Sequence, residues 1–201
     1  MKDFKIQKKL AICFGILLAV LTAVGGLAVY KLASVSADTA EIGGPRKEIL
    51  QAAATINGAM SDYRIAESAH ILSSDATLKN KYERDVAEQQ QLIETNIRFL
   101  DPRIKAPAMR TALDEFRRHW VEYQRHSATT ITASRQGKAE EATALLADSR
   151  DEFDAANNGA ENMQVTESKV IDEVTANAES DYVVSRNILI VAILLAAALV
   201  V

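Results

Sequence analysis

The stretch LAICFGILLAVLTAVGGLAVY, residues 10–30, contains 21 residues without a charged side chain. About 20 helical residues cross the hydrocarbon core of a bilayer, so this stretch predicts a transmembrane helix, to which we assign residues 10–32. Four lysines and a single aspartate precede the stretch. Because Lys and Arg are enriched on the cytoplasmic side of membrane helices, we expect residues 1–9 to lie in the cytoplasm.

A cleaved signal peptide is the alternative interpretation of this stretch. The segment SVSA at residues 34–37, just before Asp38, resembles a small-residue cleavage site. The apolar part of a signal peptide usually has about 7–15 residues, and the present stretch is longer. We therefore prefer an uncleaved membrane helix.

A second apolar stretch, ILIVAILLAAALVV at residues 188–201, ends the chain. At about 1.5 Å per helical residue it covers ~21 Å, which is less than the hydrocarbon thickness of about 30 Å. We interpret residues 186–201 as a truncated second transmembrane helix. A cytoplasmic output part is then expected to follow in the full protein.

The composition favours long helices over sheets, because only 5% of the 201 residues are aromatic and only three are prolines. The formal net charge of −4 argues against a basic surface for nucleic acid. The single cysteine, Cys13, excludes an intrachain disulfide and a cysteine-based zinc site.

Motifs of the common enzyme classes are absent from the sequence. It contains no Walker loop, no dinucleotide-binding glycine pattern, no GxSxG and no HExxH. His119 and His126 can share a helix face, but no third ligand lies near them in the sequence, so no metal site is predicted. We therefore expect neither catalysis nor a cofactor.

Between the two membrane stretches, residues 33–185 show the 3.6-residue apolar periodicity of helices, and we assign them to one domain. The first helix is expected to continue from the membrane to about Leu72, with a kink at Pro45. Asp75 is the expected N-cap of the second helix, which ends near Leu100.

The segment LDPRIKAP, residues 100–107, separates the second helix from the third. The third helix ends near Ser134, and Gly137 is the expected C-terminal cap. The fourth helix contains no proline and is expected to run unbroken into the second membrane stretch. Short turns make neighbouring helices antiparallel, so the predicted fold is all-α, an antiparallel up-down four-helix bundle flanked by two transmembrane helices.

Apolar stripes predict which side chains face the centre of this bundle. The stripes include Tyr63 on the first helix, Leu78, Leu92, Ile93 and Leu100 on the second, Phe116, Trp120 and Tyr123 on the third, and Leu146, Phe153 and Ala156 on the fourth.

The inward faces become polar toward the end of the bundle that lies farthest from the membrane. Counting from the distal turns places Arg64, Asp85, His126 and Arg150 at similar heights. An arginine side chain presents a planar fork that matches a carboxylate, so we predict a binding site for a small anionic molecule. The candidate ligand-binding residues are Arg64, Tyr63, His70, Glu67, His126, Thr130 and Arg150.

Structural roles are the alternative for these residues. Tyr63 is more simply explained as a core residue, and Arg64 and Arg150 as side chains at the stripe edge that extend to water. Glu67 can pair with Arg64 at i,i+3 and orient it. The polar face can also be the surface of a dimer.

Three motifs and the order of the segments carry a resemblance to a known family. The motifs are GGPR at residues 43–46, YRIAESAHILSSD at residues 63–75 and RQGKAEEATALL at residues 135–146. With one membrane stretch on each side of four helices, the chain resembles the N-terminal half of a methyl-accepting chemotaxis protein, a bacterial chemoreceptor. The resemblance covers essentially the whole chain.

This resemblance implies a homodimer in the bacterial inner membrane, with residues 33–185 as a periplasmic ligand-binding domain. The expected ligand is an organic acid or an amino acid, and Arg64 matches the recurrent arginine on the first bundle helix of the family. Binding would displace the fourth helix along its axis. The missing C-terminal half would carry this motion, through a HAMP linker and a signalling hairpin, to a cytoplasmic kinase and its adaptor.

Two alternatives place the same bundle in other proteins. It can be the sensor module of a membrane histidine kinase or diguanylate cyclase, in which case a catalytic domain follows the second membrane stretch. It can also belong to a structural membrane protein whose bundle only binds partners.

Overall fold

The structure is a computed structural model that describes residues 6–200, without the side chains of residues 6, 7, 9, 10, 13 and 195–200. The helices are α1 (Ile6–Glu41), α2 (Lys47–Leu72), α3 (Ala76–Leu100), α4 (Pro107–Arg135), α5 (Ala139–Asp148) and α6 (Arg150–Val200). The all-α fold class is thereby confirmed. Residues 1–5, which belong to the predicted cytoplasmic segment, lie outside the described residues.

One of two compact units contains residues 6–44 and 171–200 of the described chain. Within the described residues, one helix is apolar and long enough to span a membrane, and it lies near the N-terminus in the helical run Phe14–Leu72. Its apolar side chains are exposed, Leu18 by 68% and Val29 by 70%, as expected of a helix surrounded by lipid. The second membrane helix stays a prediction.

The second compact unit, Pro45–Val170, contains the helical bundle. Phe116 and Trp120 of α4 are buried in its core, and the ring of Tyr63 on α2 packs edge-on against Trp120 with 5.1 Å between centroids. Gly159 of α6 lies against α4 so closely that a Cβ atom there would approach the Cα of Phe116 to 2.9 Å. The absence of a side chain at Gly159 therefore sets the distance between α4 and α6.

The three predicted breaks between bundle helices, near Asp75, at residues 100–107 and near Gly137, are confirmed, and the helix is also irregular at Pro45, where a kink was predicted. Pro45 lies in a π-helical segment, Ile42–Arg46, which accommodates the missing proline N–H between α1 and α2. The Asp75 carboxylate caps α3 by accepting from the backbone N–H groups of Thr77, at 2.6 Å, and Leu78, at 3.2 Å. Gly137 ends α4 with a φ of +76°.

The predicted unbroken fourth helix is wrong, because Ser149 separates α5 from α6. The Ser149 hydroxyl donates to the Leu146 carbonyl oxygen at 2.9 Å, and such local side-chain bonds compete with helical hydrogen bonds. No proline or glycine marks this break, so the sequence pattern did not reveal it.

The predicted inward stripe of the second bundle helix is only partly correct. Leu78 and Leu92 are 44% and 39% exposed, whereas Ile93 and Leu100 are fully buried. Ile93 and Leu100 are the buried residues of α3. The face that α3 buries is therefore narrower than the predicted stripe, which also included Leu78 and Leu92.

Candidate functional site

Arg64 lies on α2 at the boundary between the buried face of that helix and an open groove on its outer face. The groove has a volume of about 470 Å³. We call it the outer groove, and its lining residues are Ser61, Arg64, Ile65, Ser68, Ala69, Leu72 and Phe153. A helix exposes successive side chains to different surroundings, which is why Tyr63 is buried while Arg64 is half-buried and Ile65 is exposed.

Neutral groups hold the Arg64 guanidinium in place. Its Nη1 donates to the Tyr123 hydroxyl at 3.4 Å and its Nη2 to the Leu146 carbonyl oxygen at 3.3 Å. Its Cζ lies 4.5 Å from the centre of the Phe153 ring, within the range of a cation–π interaction. None of the ion pairs among the described residues includes Arg64, so no carboxylate neutralises this cation at contact distance.

A buried carboxyl group lies behind Arg64. Glu67 is fully buried, and the Tyr123 hydroxyl donates a hydrogen bond to its Oε2. Its Oε1 has no hydrogen-bond partner among the described residues. Burial raises the pKa of Glu67, while the neighbouring Tyr123, Ser127 and Arg64 act in the opposite direction.

Two phenols complete what we call the inner cluster, which consists of Tyr63, Arg64, Glu67, Tyr123 and Ser127. The Tyr63 hydroxyl donates to the Ser127 Oγ at 2.9 Å. Burial raises the pKa of Tyr63 to about 12, and burial together with the Glu67 charge raises the pKa of Tyr123. Both phenols therefore remain protonated donors at physiological pH, which leaves Glu67 and Arg64 as the groups whose charge matters.

His70 belongs to a second group of polar side chains, the distal cluster, which consists of His70, Lys79, Glu83, Ser134 and Arg135. His70 is fully buried; its Nε2 lies 3.0 Å from Glu83 Oε1 and its Nδ1 lies 2.9 Å from Ser134 Oγ. Arg135 also binds Glu83 and lowers the pKa of that carboxyl to about 2. An ionised Glu83 only accepts, so the proton of neutral His70 lies on Nε2, and Nδ1 and the His70 carbonyl oxygen, which lies 3.2 Å from Ser134 Oγ, share the single hydroxyl proton of Ser134.

The distal cluster joins three helices and leaves His70 no free nitrogen. Lys79 donates to both oxygens of Ser134, the hydroxyl at 3.0 Å. Burial lowers the pKa of His70, the Glu83 hydrogen bond opposes this, and the charge of Lys79 adds to it. His70 was predicted to contact the ligand, but in the structure both of its ring nitrogens bind side chains of the bundle.

The other predicted residues are not brought to the outer groove. The Thr130 hydroxyl donates to the His126 carbonyl oxygen of its own helix at 3.1 Å, and the His126 side chain is half-buried. Arg150 is exposed and pairs with Asp154 at 3.4 Å. The alternative in which Glu67 pairs directly with Arg64 is not observed among the described residues, since the Tyr123 hydroxyl donates to Glu67 and accepts from Arg64. Tyr63, Arg64 and Glu67 are the predicted residues that lie together.

Several groove residues were missed in the sequence. Ile65 and Leu72 are 66% and 86% exposed although they are large and apolar. Their spacing of seven along α2, away from the inward stripe, is the signal that could have identified them. Phe153 was assigned to the core but is half-buried and forms a wall of the outer groove.

A family model described as a four helix bundle sensory module for signal transduction matches residues 3–182 of the sequence. The chain belongs to this family. The resemblance to the sensor part of methyl-accepting chemotaxis proteins is thereby confirmed. No curated protein gives a match. In a sensory module, Arg64 is the residue whose role needs an explanation, because it lies beside the open outer groove and has no carboxylate partner among the described residues.

Proposed function

We propose that this sensory module is the receptor part of a transmembrane chemoreceptor. It binds a small anionic molecule, an organic acid or an amino acid, in the periplasm and signals across the inner membrane. The signal would reach a cytoplasmic module that controls a kinase through an adaptor. The observation that carries the proposal is Arg64, a cation at the outer groove that no carboxylate neutralises.

The chemistry of Arg64 supports an anionic ligand. Its two long hydrogen bonds leave other N–H groups of the guanidinium without a partner among the described residues. A guanidinium binds a carboxylate with two parallel hydrogen bonds, which is stronger than a bond to a neutral oxygen. Packing against Phe153 holds the side chain in place, so ligand binding requires little further ordering.

The continuity of α6 supports signalling by helix displacement. Phe153, a wall of the outer groove, lies in the first turn of α6, and this helix extends over 51 residues to the second apolar stretch. A helix transmits an axial displacement along its length because its backbone hydrogen bonds resist compression. A ligand that shifts Phe153 would therefore move the whole of α6, and a homodimer would present two such helices to the kinase module.

A thermal-shift measurement on the full chain in lipid nanodiscs tests this function. We expect at least one organic acid or amino acid to raise the melting temperature, because a ligand that binds only the folded state stabilises it. We expect Arg64→Ala to abolish the shift, whereas Arg150→Ala, which removes an exposed arginine, should retain it. If no compound of either class shifts the wild-type melting temperature, the proposal of a small-molecule sensor is wrong.

A further inference from the structure

We infer that the outer groove selects acids with one carboxylate and an apolar body, and that it discriminates against dicarboxylates and amino acids. The inference rests on the proposed function, because it assigns a ligand class to the same site. It follows from three properties of the groove lining: one cation, no acid, and large apolar side chains exposed beside the cation.

Arg64 is the single charged residue that lines the outer groove. One guanidinium satisfies one carboxylate. A second carboxylate on the ligand would lie against apolar side chains, with only the hydroxyls of Ser61 and Ser68 as donors. Both of these residues lie in the interior of α2, and the Ser61 and Ser68 hydroxyls already donate to carbonyl oxygens of their own helix. A second negative charge in the groove would therefore lose hydration without gaining a partner of opposite charge.

The lining contains no acid that could bind the ammonium group of an amino acid. The carboxyl groups next to groove residues on α2 are Asp62, which is exposed and does not line the groove, and Glu67, which is fully buried and bound by Tyr123. An ammonium group beside Arg64 would also be repelled by the guanidinium. An amino acid would therefore bind more weakly than the same molecule without its amino group.

The apolar side chains beside Arg64 define the other half of the ligand. Ile65 is 66% exposed and Leu72 is 86% exposed, and both line the outer groove together with Phe153. Covering these side chains with an apolar group is favourable in proportion to the area removed from water. Since the Phe153 ring already packs against the guanidinium, the carboxylate would approach the edge of Arg64 and direct the apolar body toward Ile65 and Leu72.

Four compounds that differ by one group test the ligand class. Hydrocinnamate has one carboxylate and a phenyl body; phenylalanine adds an ammonium group to it, benzylsuccinate adds a carboxymethyl group and thus a second carboxylate, and hydrocinnamamide removes the charge. Each compound is titrated into the full chain in nanodiscs near neutral pH, and the heat of binding is measured. The same titrations with Arg64→Gln, Leu72→Ser and the control Arg150→Ala locate the site, and circular dichroism establishes that each variant is folded.

We expect hydrocinnamate to bind most tightly, with each of the other three compounds weaker by about tenfold or more. Arg64→Gln should weaken hydrocinnamate by about 10- to 100-fold, since it removes a hydrogen-bonded charge pair. Leu72→Ser should weaken hydrocinnamate by severalfold and leave the preference for a single carboxylate unchanged. Arg150→Ala should have no effect.

Two different results separate this inference from the function on which it rests. If phenylalanine or benzylsuccinate binds as tightly as hydrocinnamate or more tightly, the ligand class is wrong while the proposed function stands. If none of the four compounds binds, or if hydrocinnamate binding is unaffected by Arg64→Gln, both the class and Arg64 as its anchor are overturned. The latter outcome is expected if a second copy of the chain covers Ile65 and Leu72.

Discussion

The inner cluster and the distal cluster both join α2 to α4, and the distal cluster also includes α3, but the two differ in how completely their polar groups are paired. In the distal cluster both nitrogens of His70 have partners, and Glu83 is shared by His70 and Arg135. In the inner cluster the Glu67 Oε1 has no hydrogen-bond partner and Arg64 has no ion pair within the part of the chain that the structure describes. The comparison indicates that the distal cluster stabilises the fold, and it supports the proposal that Arg64 of the inner cluster is the residue that binds a ligand.

The largest effect on stability is expected from His70→Ala. The substitution leaves a cavity and removes a hydrogen-bond partner from buried Ser134, so the free energy of unfolding should fall by about 2–4 kcal/mol. Denaturant titration monitored by the fluorescence of the single tryptophan, Trp120, measures this quantity, because Trp120 is buried in the core.

His126→Ala is the matched control for this prediction. The His126 side chain is half-buried, and only its backbone carbonyl takes part in a hydrogen bond with Thr130. The expected change is within about 0.5 kcal/mol. Equal losses of stability in the two variants would contradict a structural role that is specific to the distal cluster.

Arg64→Ala should separate binding from stability. We expect the binding free energy of a carboxylate ligand to weaken by about 1.5–3 kcal/mol, the contribution of a hydrogen bond to a charged group. The free energy of unfolding should change by less than about 1 kcal/mol, since Arg64 is half-buried and held by two long hydrogen bonds. A large loss of stability would place Arg64 in the same structural category as His70.

The pH dependence of stability should reveal opposite contributions from the two clusters. The pKa of His70 is lowered from 6.5 in the folded state, so below pH 6.5 the unfolded chain binds a proton that the folded chain lacks, and acid destabilises. The pKa of Glu67 is raised from 4.5, so above pH 4.5 the folded chain holds a proton that the unfolded chain lacks, and acid stabilises. The two effects oppose each other between pH 4.5 and 6.5.

Glu67→Gln should therefore make the chain lose more stability on acidification through this window than the wild type does. The measurement is the free energy of unfolding from Trp120 fluorescence at a series of pH values. If the free energy of unfolding depends on pH with the same slope in Glu67→Gln as in the wild type, then Glu67 does not hold a proton in the folded chain.

The smallest effect is expected from Glu67→Gln on ligand binding. Glu67 does not line the outer groove, and the Tyr123 hydroxyl, which binds both side chains, lies between its carboxylate and Arg64. Removing the negative charge should leave the affinity for a carboxylate unchanged or raise it severalfold. Calorimetric titration checks this, and a large loss of affinity would make Glu67 a direct ligand contact.

The sequence predicted the elements whose determinants are local. The Asp75 cap and the Gly137 turn each depend on one residue type with a specific backbone role, and both are confirmed. The break at Ser149 depends on which carbonyl its hydroxyl binds, and the same hydroxyl occurs within unbroken helices, as Ser68 shows. The position of this break could therefore not be predicted from the sequence pattern.

The sequence indicated which polar residues lie together on α2 but not their contacts, and their role in ligand binding stays a prediction. Tyr63 and Glu67 were singled out as polar groups on an inward stripe, and Arg64 as the residue beside them that matches the recurrent arginine of the family. Their partners come from helices distant in sequence: Tyr123 binds Glu67, and the Leu146 carbonyl binds Arg64. Helix spacing alone could offer only a local pairing of Arg64 with Glu67 as an alternative. It could not give the contacts with α4, because the crossing of α2 with α4 is a tertiary property.

The central claim is that Arg64 is the anchor for a carboxylate, and nuclear magnetic resonance of isotope-labelled arginine side chains tests it most directly. The full chain in nanodiscs is titrated with hydrocinnamate, and the Nε–H signals of Arg64 and Arg150 are assigned by substitution. The account predicts that the Arg64 signal shifts and saturates with the ligand while the Arg150 signal stays unchanged. A saturable shift elsewhere in the chain with no change at Arg64 would contradict it.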